Sequence, residues 1–583
     1  MAYMSIRKLM RAALLAGCAA LLGMACAACF GGGGSGDDNG APGHSGGTAA
    51  GTAAGTAAAT VLPAATGDCG AVTTITTVKA LRDYEILKNG DTPDNNPITR
   101  WALDSLCVKQ TNAWMVKDVD NALSERIRAA LIGGEQLPDV VFLTNHELPS
   151  LLGDLVQAGA IEDIEAAFDR YASARVREAY SRSPDAWRTV TLNGRRWGLP
   201  QLSDGKLGDP VLWIRQDWLE TLGLEAPRTL SELEQVMDAF THGDPDRNGQ
   251  DDTIGLALAG QTGLNAWMGD ASFLFGAYGD QPAQWNRGAD GALSYGSVQP
   301  SVKQALARLA DWYKAGYLAP DFGTHDVNEA AALASSGTAG IISGPGWMGG
   351  WPLGEGVAAG VNFRAYPYPS GDDGRAGRLG TRPSYGAYLF RAGFDHFDKI
   401  FAYYDEVFGA LTEDPASAFA YGYGEGYDYI VQDGQPVYDF DGVTSSIGNF
   451  LLVAPGSVPT PAGSESIEAR VYRGQTSNPY ERKLAATSSK RYLEGRLAAE
   501  AQPELSRPEQ FVGPYTRTML LSWRRLSQLE HDAYLRIVYG EDPPAAFDDF
   551  AGEWYAGGGS DIVREVNEAD RAAQQMAPAA GRT

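Results

Sequence analysis

The chain has 583 residues, more than one hydrophobic core usually supports, so two or more lobes are expected. Its formal charge is −25, from 72 acidic and 47 basic residues, which excludes the clustered Lys and Arg that nucleic acid or a polybasic membrane patch requires. A hydrophobic share of 44% with 10% aromatics excludes a disordered chain.

Arg7, Lys8 and Arg11 precede an apolar run from Ala12 to Ala28 that includes Leu14, Leu15, Leu21, Leu22 and Met24. This is the pattern of a secretory signal peptide over residues 1–29. The run ends in Cys26-Ala-Ala-Cys29, and small residues before a cysteine fit an acylation site. Leu15-Ala-Gly-Cys18 is the better local match, but it leaves an apolar region shorter than the roughly 7–15 residues such signals carry. Cys29 is therefore the expected lipid-bearing residue, with Cys18 and Cys26 as alternatives. No later stretch reaches the roughly 18 uninterrupted apolar residues of a membrane span. The rest of the chain is expected outside the membrane, extracytoplasmic and held by its lipid.

Residues 30–66 are a Gly/Ser/Ala-rich stretch with too little apolar area to offset ordering entropy, and they read as a flexible tether. Cys69 and Cys107 remain. In an oxidising compartment they can pair or stay free.

The folded part begins near Val72 with a β-branched run to Val78. Asn96-Pro97 opens a helix with proline at its first position, and Val108–Val116 reads as a strand. Leu123, Ile127, Ala130 and Leu131 share one helical face, which Gly133-Gly134 stops. Pro138-Asp139 leads into the short strand Val140–Leu143, and a helix runs on through Leu155. This βαβαβ order with short links predicts a mainly parallel sheet covered by helices. Pro, Gly and Trp cluster at Trp197-Gly-Leu-Pro200 and at Ser343-Gly-Pro-Gly-Trp347. Another α/β region lies between them, and beyond about residue 395 the chain turns helical.

The sharpest local motif is Asp244-Pro-Asp246-Arg-Asn248-Gly249-Gln250-Asp-Asp252. Oxygen-bearing side chains at about loop positions 1, 3, 5 and 9, with glycine at 6 and Gln250 at 7, match the spacing that wraps a calcium ion. Position 12, where such loops carry a bidentate Glu, is Gly255. Two further motif matches carry no chemistry. Gly43-His-Ser45-Gly-Gly47 lacks the strand and helix of a nucleophile elbow, and Gly344-Pro-Gly346-Trp-Met-Gly349 lacks the helix of a dinucleotide site.

Several segments now share one colinear order: Asp94-Asn-Asn-Pro-Ile-Thr-Arg100, Gly133-Gly-Glu-Gln-Leu-Pro-Asp139, Asn193–Pro200, Leu212-Trp-Ile-Arg-Gln-Asp-Trp-Leu219, Gly340–Trp347 with Trp351-Pro352, and Gly540–Asn567. Taken together, the chain resembles the family 1 extracellular solute-binding proteins of ABC carbohydrate importers, in the large lipoprotein branch that includes alginate-oligosaccharide binders. The resemblance implies an α/β, two-lobe periplasmic-binding-protein-like fold of type II, with a helical C-terminal region. The expected layout is 67–200 in lobe 1, 201–343 in lobe 2 with the calcium loop, 344–395 as the lobe 1 return and hinge, and 396–583 as a helical part mainly in lobe 2. It further implies a monomer that binds an oligosaccharide between the lobes and meets ABC permease subunits, with structural calcium at the Asp244 loop, as in the alginate-binding relatives. Gly346 stands where relatives often carry a second aromatic.

Sugar recognition needs aromatic faces and polar partners for hydroxyls. The candidates are Trp213, Trp267, Trp347, Trp351, Tyr385 and Tyr427, with Asn95, Asp139, Arg215, Asp270 and Glu425 as polar partners. Trp347 and Trp351 lead because they follow a strand at the expected hinge; for each aromatic the alternative is core packing. Arg215 and Lys206 would suit a uronate. Six scattered histidines show no catalytic-metal spacing, so the chain reads as a carrier and not an enzyme. A sugar-sensing or adhesion lipoprotein stands as the alternative, with a secreted polysaccharide hydrolase or lyase behind it.

Overall fold

The computed structural model describes residues 69–576 except 83–84, 118–120, 412–413, 445 and 462–463. The expected signal peptide, tether and Cys29 lie outside the described residues. In chain order the strands of the two main sheets are β1 (Thr73–Leu81), β2 (Val108–Lys117), β3 (Val140–Thr144), β4 (Leu199–Leu202), β5 (Pro210–Arg215), β6 (Ile254–Ala257), β7 (Ala339–Pro345), β8 (Phe363–Tyr366) and β9 (Ser384–Phe390).

The first sheet has the order β2-β1-β3-β9-β4 and the second β8-β5-β7-β6. The parallel start is as expected: β1 pairs parallel with β2 and β3. Both sheets are nonetheless mixed. β9 is antiparallel to β3 and β4, and β5 is antiparallel to β7 and β8, because strands that return from the other lobe enter in the opposite sense.

Local chemistry accounts for the element ends. The Asn96 carboxamide accepts from Ile98 N and Thr99 N at 3.0 and 3.2 Å, and Thr99 Oγ1 accepts from Asn96 N at 2.9 Å. This reciprocal cap, with Pro97 at the first helical position, starts helix Pro97–Leu106. Cys107 ends it in the left-handed region and is joined to Cys69 by a disulfide. Helix Ala122–Gly133 stops at Gly134 with φ +65°, a conformation glycine adopts without penalty.

Each sheet has its own core. The first gathers Ile75, Val108, Val140, Leu199 and Phe390 with helix Phe397–Leu411, through Ile400, Tyr403, Tyr404, Val407 and Phe408, and with Ile447–Val453. The second gathers Leu212, Ile214 and Leu256 with helices Leu230–His242 and Pro300–Lys314, and with the C-terminal helices Arg517–Tyr539, Ala546–Trp554 and Ser560–Met576. The segments thus divide differently from the expected layout. β8 stays with the second sheet, and residues 397–453 pack in the first core, because the apolar face of helix Phe397–Leu411 covers that sheet.

The chain passes between lobes at 203–209, at 367–383 and again after Val453. Polar groups tie these crossings together. Asp209 Oδ1 accepts from Thr381 N and Oγ1, both at 2.9 Å, and Asp209 Oδ2 lies 3.2 Å from Arg378 Nη2. Burial pushes the Asp209 carboxyl up, while Arg378 and Thr381 pull it down. Strand Arg378–Leu379 pairs with Ser506–Arg507 beside it. A second knot joins buried Arg496 to Asp204 at 3.1 Å and Glu468 at 3.3 Å. Breaking a buried pair on one side is costly, so these knots hold the crossings in register.

Candidate interlobe binding site

A cavity of 590 Å³ is lined from the first lobe by Asn145, His146 and Thr189 and from the second by Asn265, Trp285 and Tyr295. Segment 509–535 closes it with Glu509, Tyr515, Trp523 and Glu530. The segment reaches across the cleft, since Tyr515 N donates to Pro149 O at 2.8 Å. A second cavity of 480 Å³ shares Thr262, Asn265 and Ala266 with the first and adds Trp267, Asp270 and Asp326. The two adjoin along this shared wall as the halves of a trough, each of the size small-ligand sites occupy, with aromatic walls.

From Trp267 the aromatic surface continues. Trp267 lies 5.4 Å from Trp347, and Trp347 stacks on Trp351 at 6.3 Å and 15°. Trp267 and Trp351 are each 48% exposed, which is unusual for indoles that only pack. Gly346, which starts the turn that carries Trp347, faces helix Lys490–Glu500 so closely that a Cβ there would come 2.5 Å from Gly495 O. The missing second aromatic therefore has a steric cause.

The structure brings Trp267, Trp347, Trp351 and Asp270 together and places the other candidates elsewhere. Trp213 is fully buried, with every residue of β5 buried around it, and its Nε1 donates to Pro345 O at 3.2 Å; it is core. Arg215 is buried, paired with Asp217 at 2.6 Å and laid over Trp218 at 4.3 Å, so it offers nothing to a uronate. Tyr427 is 1% exposed, and its hydroxyl donates to Asp91 at 2.6 Å. Asp139 binds Thr76 and Arg391, the latter at 2.7 Å; burial raises its carboxyl, yet these bonds bring it below its ordinary value. Asn95 accepts from Arg100 at 2.9 Å in a surface turn, and Glu425 is exposed on a loop of the first lobe. Tyr385 is half-buried, hydrogen-bonded to Ser457 at 3.0 Å beside a crossing segment. The Lys206 carbonyl serves the Arg496 knot.

Asp270 is buried and accepts from Ser272 Oγ at 2.6 Å, Tyr368 OH at 2.9 Å and Ser343 Oγ at 3.3 Å. Burial pushes its carboxyl up to about 6, against these bonds. Glu509 accepts from Trp285 N at 3.0 Å and Phe511 N at 2.9 Å. Glu530 accepts from Tyr295 OH at 2.8 Å and Ser297 Oγ at 2.7 Å. Burial raises both glutamates to about 7.

The Asp244–Asp252 loop folds on itself at the surface. Asn248 Nδ2 donates to Asp246 at 2.9 Å and to both Asp252 oxygens at 3.1 and 3.2 Å, while Asp244 accepts from Asn248 N and Gly249 N. Gly249 has φ +75°, which the turn requires. An electropositive amide thus sits where Asp246 and Asp252 converge, and turning it over would present an oxygen to the same point. The donor set fits a hard cation in kind. Gly255 lies against Met237, where a Cβ would come within 2.8 Å, so the twelfth position has no room for a glutamate. Among the described residues no group of three or more His, Cys, Asp or Glu is arranged to hold a metal ion, and no helix is long and apolar enough to cross a membrane.

The fold is of the two-lobe α/β type found in solute-binding proteins, and comparison with known proteins agrees. Residues 116–392 match the bacterial extracellular solute-binding proteins, the family the sequence resembles. A polygalacturonan/rhamnogalacturonan-binding protein of Bacillus subtilis is 28% identical over 39% of this chain and 42% of its own length. A fructooligosaccharide ABC transporter substrate-binding protein of Streptococcus pneumoniae is 27% identical over 34% of this chain and 37% of its own. The chain thus aligns with about two fifths of these relatives. In structure it is similar to an alginate-binding protein solved without calcium ion, with TM-score 0.61 and 16% identity over 87% of this chain and 100% of that one.

Proposed function

We propose that this chain captures an oligosaccharide in the interlobe trough and delivers it to the permease subunits of an ABC importer. One observation carries the reading. A trough lined from both lobes ends in a row of three indoles, two of them half-exposed, the surface that the C–H faces of sugars stack on. Closing two lobes on such a ligand completes its hydrogen bonds only when both engage. The named relatives are binding proteins, which supports a carrier without catalysis. On this reading the chain works as a monomer, outside the cytoplasm, held to the membrane by a lipid on Cys29. Calcium at Asp244, Asp246, Asn248, Gln250 and Asp252 stabilises the second lobe without taking part in binding.

The test is calorimetric titration of the full chain with neutral and uronic oligosaccharides, with product analysis of each mixture. Binding without cleavage supports the carrier, and Trp267→Ala should then weaken affinity at least tenfold. No binding by any glycan, or steady cleavage, overturns it.

A further inference from the structure

The trough has a charge that its ligand must tolerate. Of the side chains lining its two cavities, one is a lysine or arginine, Arg382, and four are carboxylates: Glu509, Glu530, Asp270 and Asp326. Arg382 Nη2 already lies 3.9 Å from Glu509 Oε2. The adjoining recess beyond Glu509 holds Arg182 and Arg188, but Arg182 is paired with Glu178 at 2.7 Å and Arg188 with Asp570 at 2.8 Å. Two histidines, His146 and His531, and three tyrosines, Tyr295, Tyr515 and Tyr534, also line the trough; burial lowers the His531 imidazole, favouring its neutral form, and raises the tyrosines, favouring theirs.

The carboxylates are also committed. Asp270 and Glu530 accept from hydroxyls, Glu509 from backbone N–H groups, and Asp326 caps the helix after it through Asn328 N and Glu329 N. What the trough offers a ligand is of another kind. Asn265 Oδ1, buried in the wall common to both cavities, accepts no hydrogen bond among the described residues. It calls for an O–H or N–H donor, which a sugar hydroxyl supplies.

We infer that the ligand is a neutral oligosaccharide and that a uronic-acid chain is excluded, because the trough beside the row of indoles opposes one engaged arginine with four acidic side chains. This rests on the carrier reading above and sharpens it. A chain with one negative charge per sugar would enter a low-dielectric trough that holds like charge and lacks the arginine forks that recognise carboxylates. Rejection built from repulsion in this way separates two glycans that stack equally well.

The experiment titrates the full chain, at pH 7.5, with kestose, nystose and maltotriose on one side and trigalacturonate and trimannuronate on the other, each at low and high salt. The expected result is binding of at least one neutral trimer or tetramer, at least tenfold tighter than either uronate, with an affinity that changes less than twofold across the salt range. A uronate that binds equally or more tightly, and weakens with salt, overturns this inference and leaves the carrier reading intact. No binding by any of the five overturns the carrier reading, and this inference falls with it.

Discussion

Replacing Glu530 by glutamine should change how stability depends on pH, in a direction fixed by the structure. Burial lifts this carboxyl from its ordinary 4.5 to about 7, against the bonds from Ser297 and Tyr295. Below pH 4.5 both folded and unfolded forms carry the proton. Between 4.5 and 7 the folded form keeps it while the unfolded form releases it, so stability falls as pH rises, and above 7 the loss is complete. The full loss is about 3 kcal/mol, of which about 2.5 kcal/mol falls between pH 5 and 8. The substituted amide would stay neutral throughout. Its oxygen would accept from one hydroxyl while its N–H donates to the other. Urea unfolding of both proteins, followed by tryptophan fluorescence at pH 5 and pH 8, should show the variant gaining about 2.5 kcal/mol on the wild type across that interval. Parallel behaviour at the two pH values would refute the reasoning, because it would mean that Glu530 is solvated or ionised in the folded protein.

Asp570 joins Arg188 of the first lobe to Arg287 of the second, both at 2.8 Å, and is itself 3% exposed. Asp570→Asn should cost about 2–4 kcal/mol in unfolding experiments and increase the radius of gyration in solution scattering, as the lobes lose a tie. The Cys69–Cys107 disulfide spans 38 residues. Its removal by the double serine variant should cost about 4 kcal/mol by loop entropy, read from denaturant midpoints. Calcium at a hundredfold excess over its Kd should raise stability by about 2.7 kcal/mol, and Asp246→Ala should abolish the gain in a thermal melt. Acid limits stability from the other side. Burial and its bonds act in opposite senses on Asp139, Asp405 and Glu481, and the bonds win, so these carboxyls titrate below their ordinary values, Glu481 at about 2. Their contribution is present above the unfolded pKa and lost as pH falls through the folded one, so circular dichroism melts should peak near pH 5 and decline below pH 4.

Much of the fold was legible because its signals are local. The Asn96-Pro97-Thr99 cap, the Gly134 stop and the strands Val108–Val116 and Val140–Leu143 are each specified within a few residues, and each lies where the sequence places it. Lobe membership was less legible, because helix Phe397–Leu411 shows only that it has an apolar face, and which sheet that face covers is a long-range fact. Trp213 and Arg215 misled for a related reason. They flank Ile214 in a strand buried along its whole length, and a continuous apolar run marks a covered strand.

The trough was the least legible part, and Glu530 shows why. It stands on the face of helix Arg517–Tyr539 defined by Leu526, Tyr534 and Ile537, so its spacing reads as one more core position. A glutamate on an apolar stripe is the signal that was available, since a buried carboxyl must find donors or a cavity. Here it finds both. The donors, Tyr295 and Ser297, lie more than two hundred residues away in the chain, and only the fold puts them opposite it. Trp267 and Trp347 meet in the same way across 80 positions of sequence. In a two-lobe protein the walls of the cleft come from segments whose shared property is that they face each other, so the sequence can nominate exposed aromatics but cannot pair them. The charge of the cleft likewise emerges only once those walls are assembled.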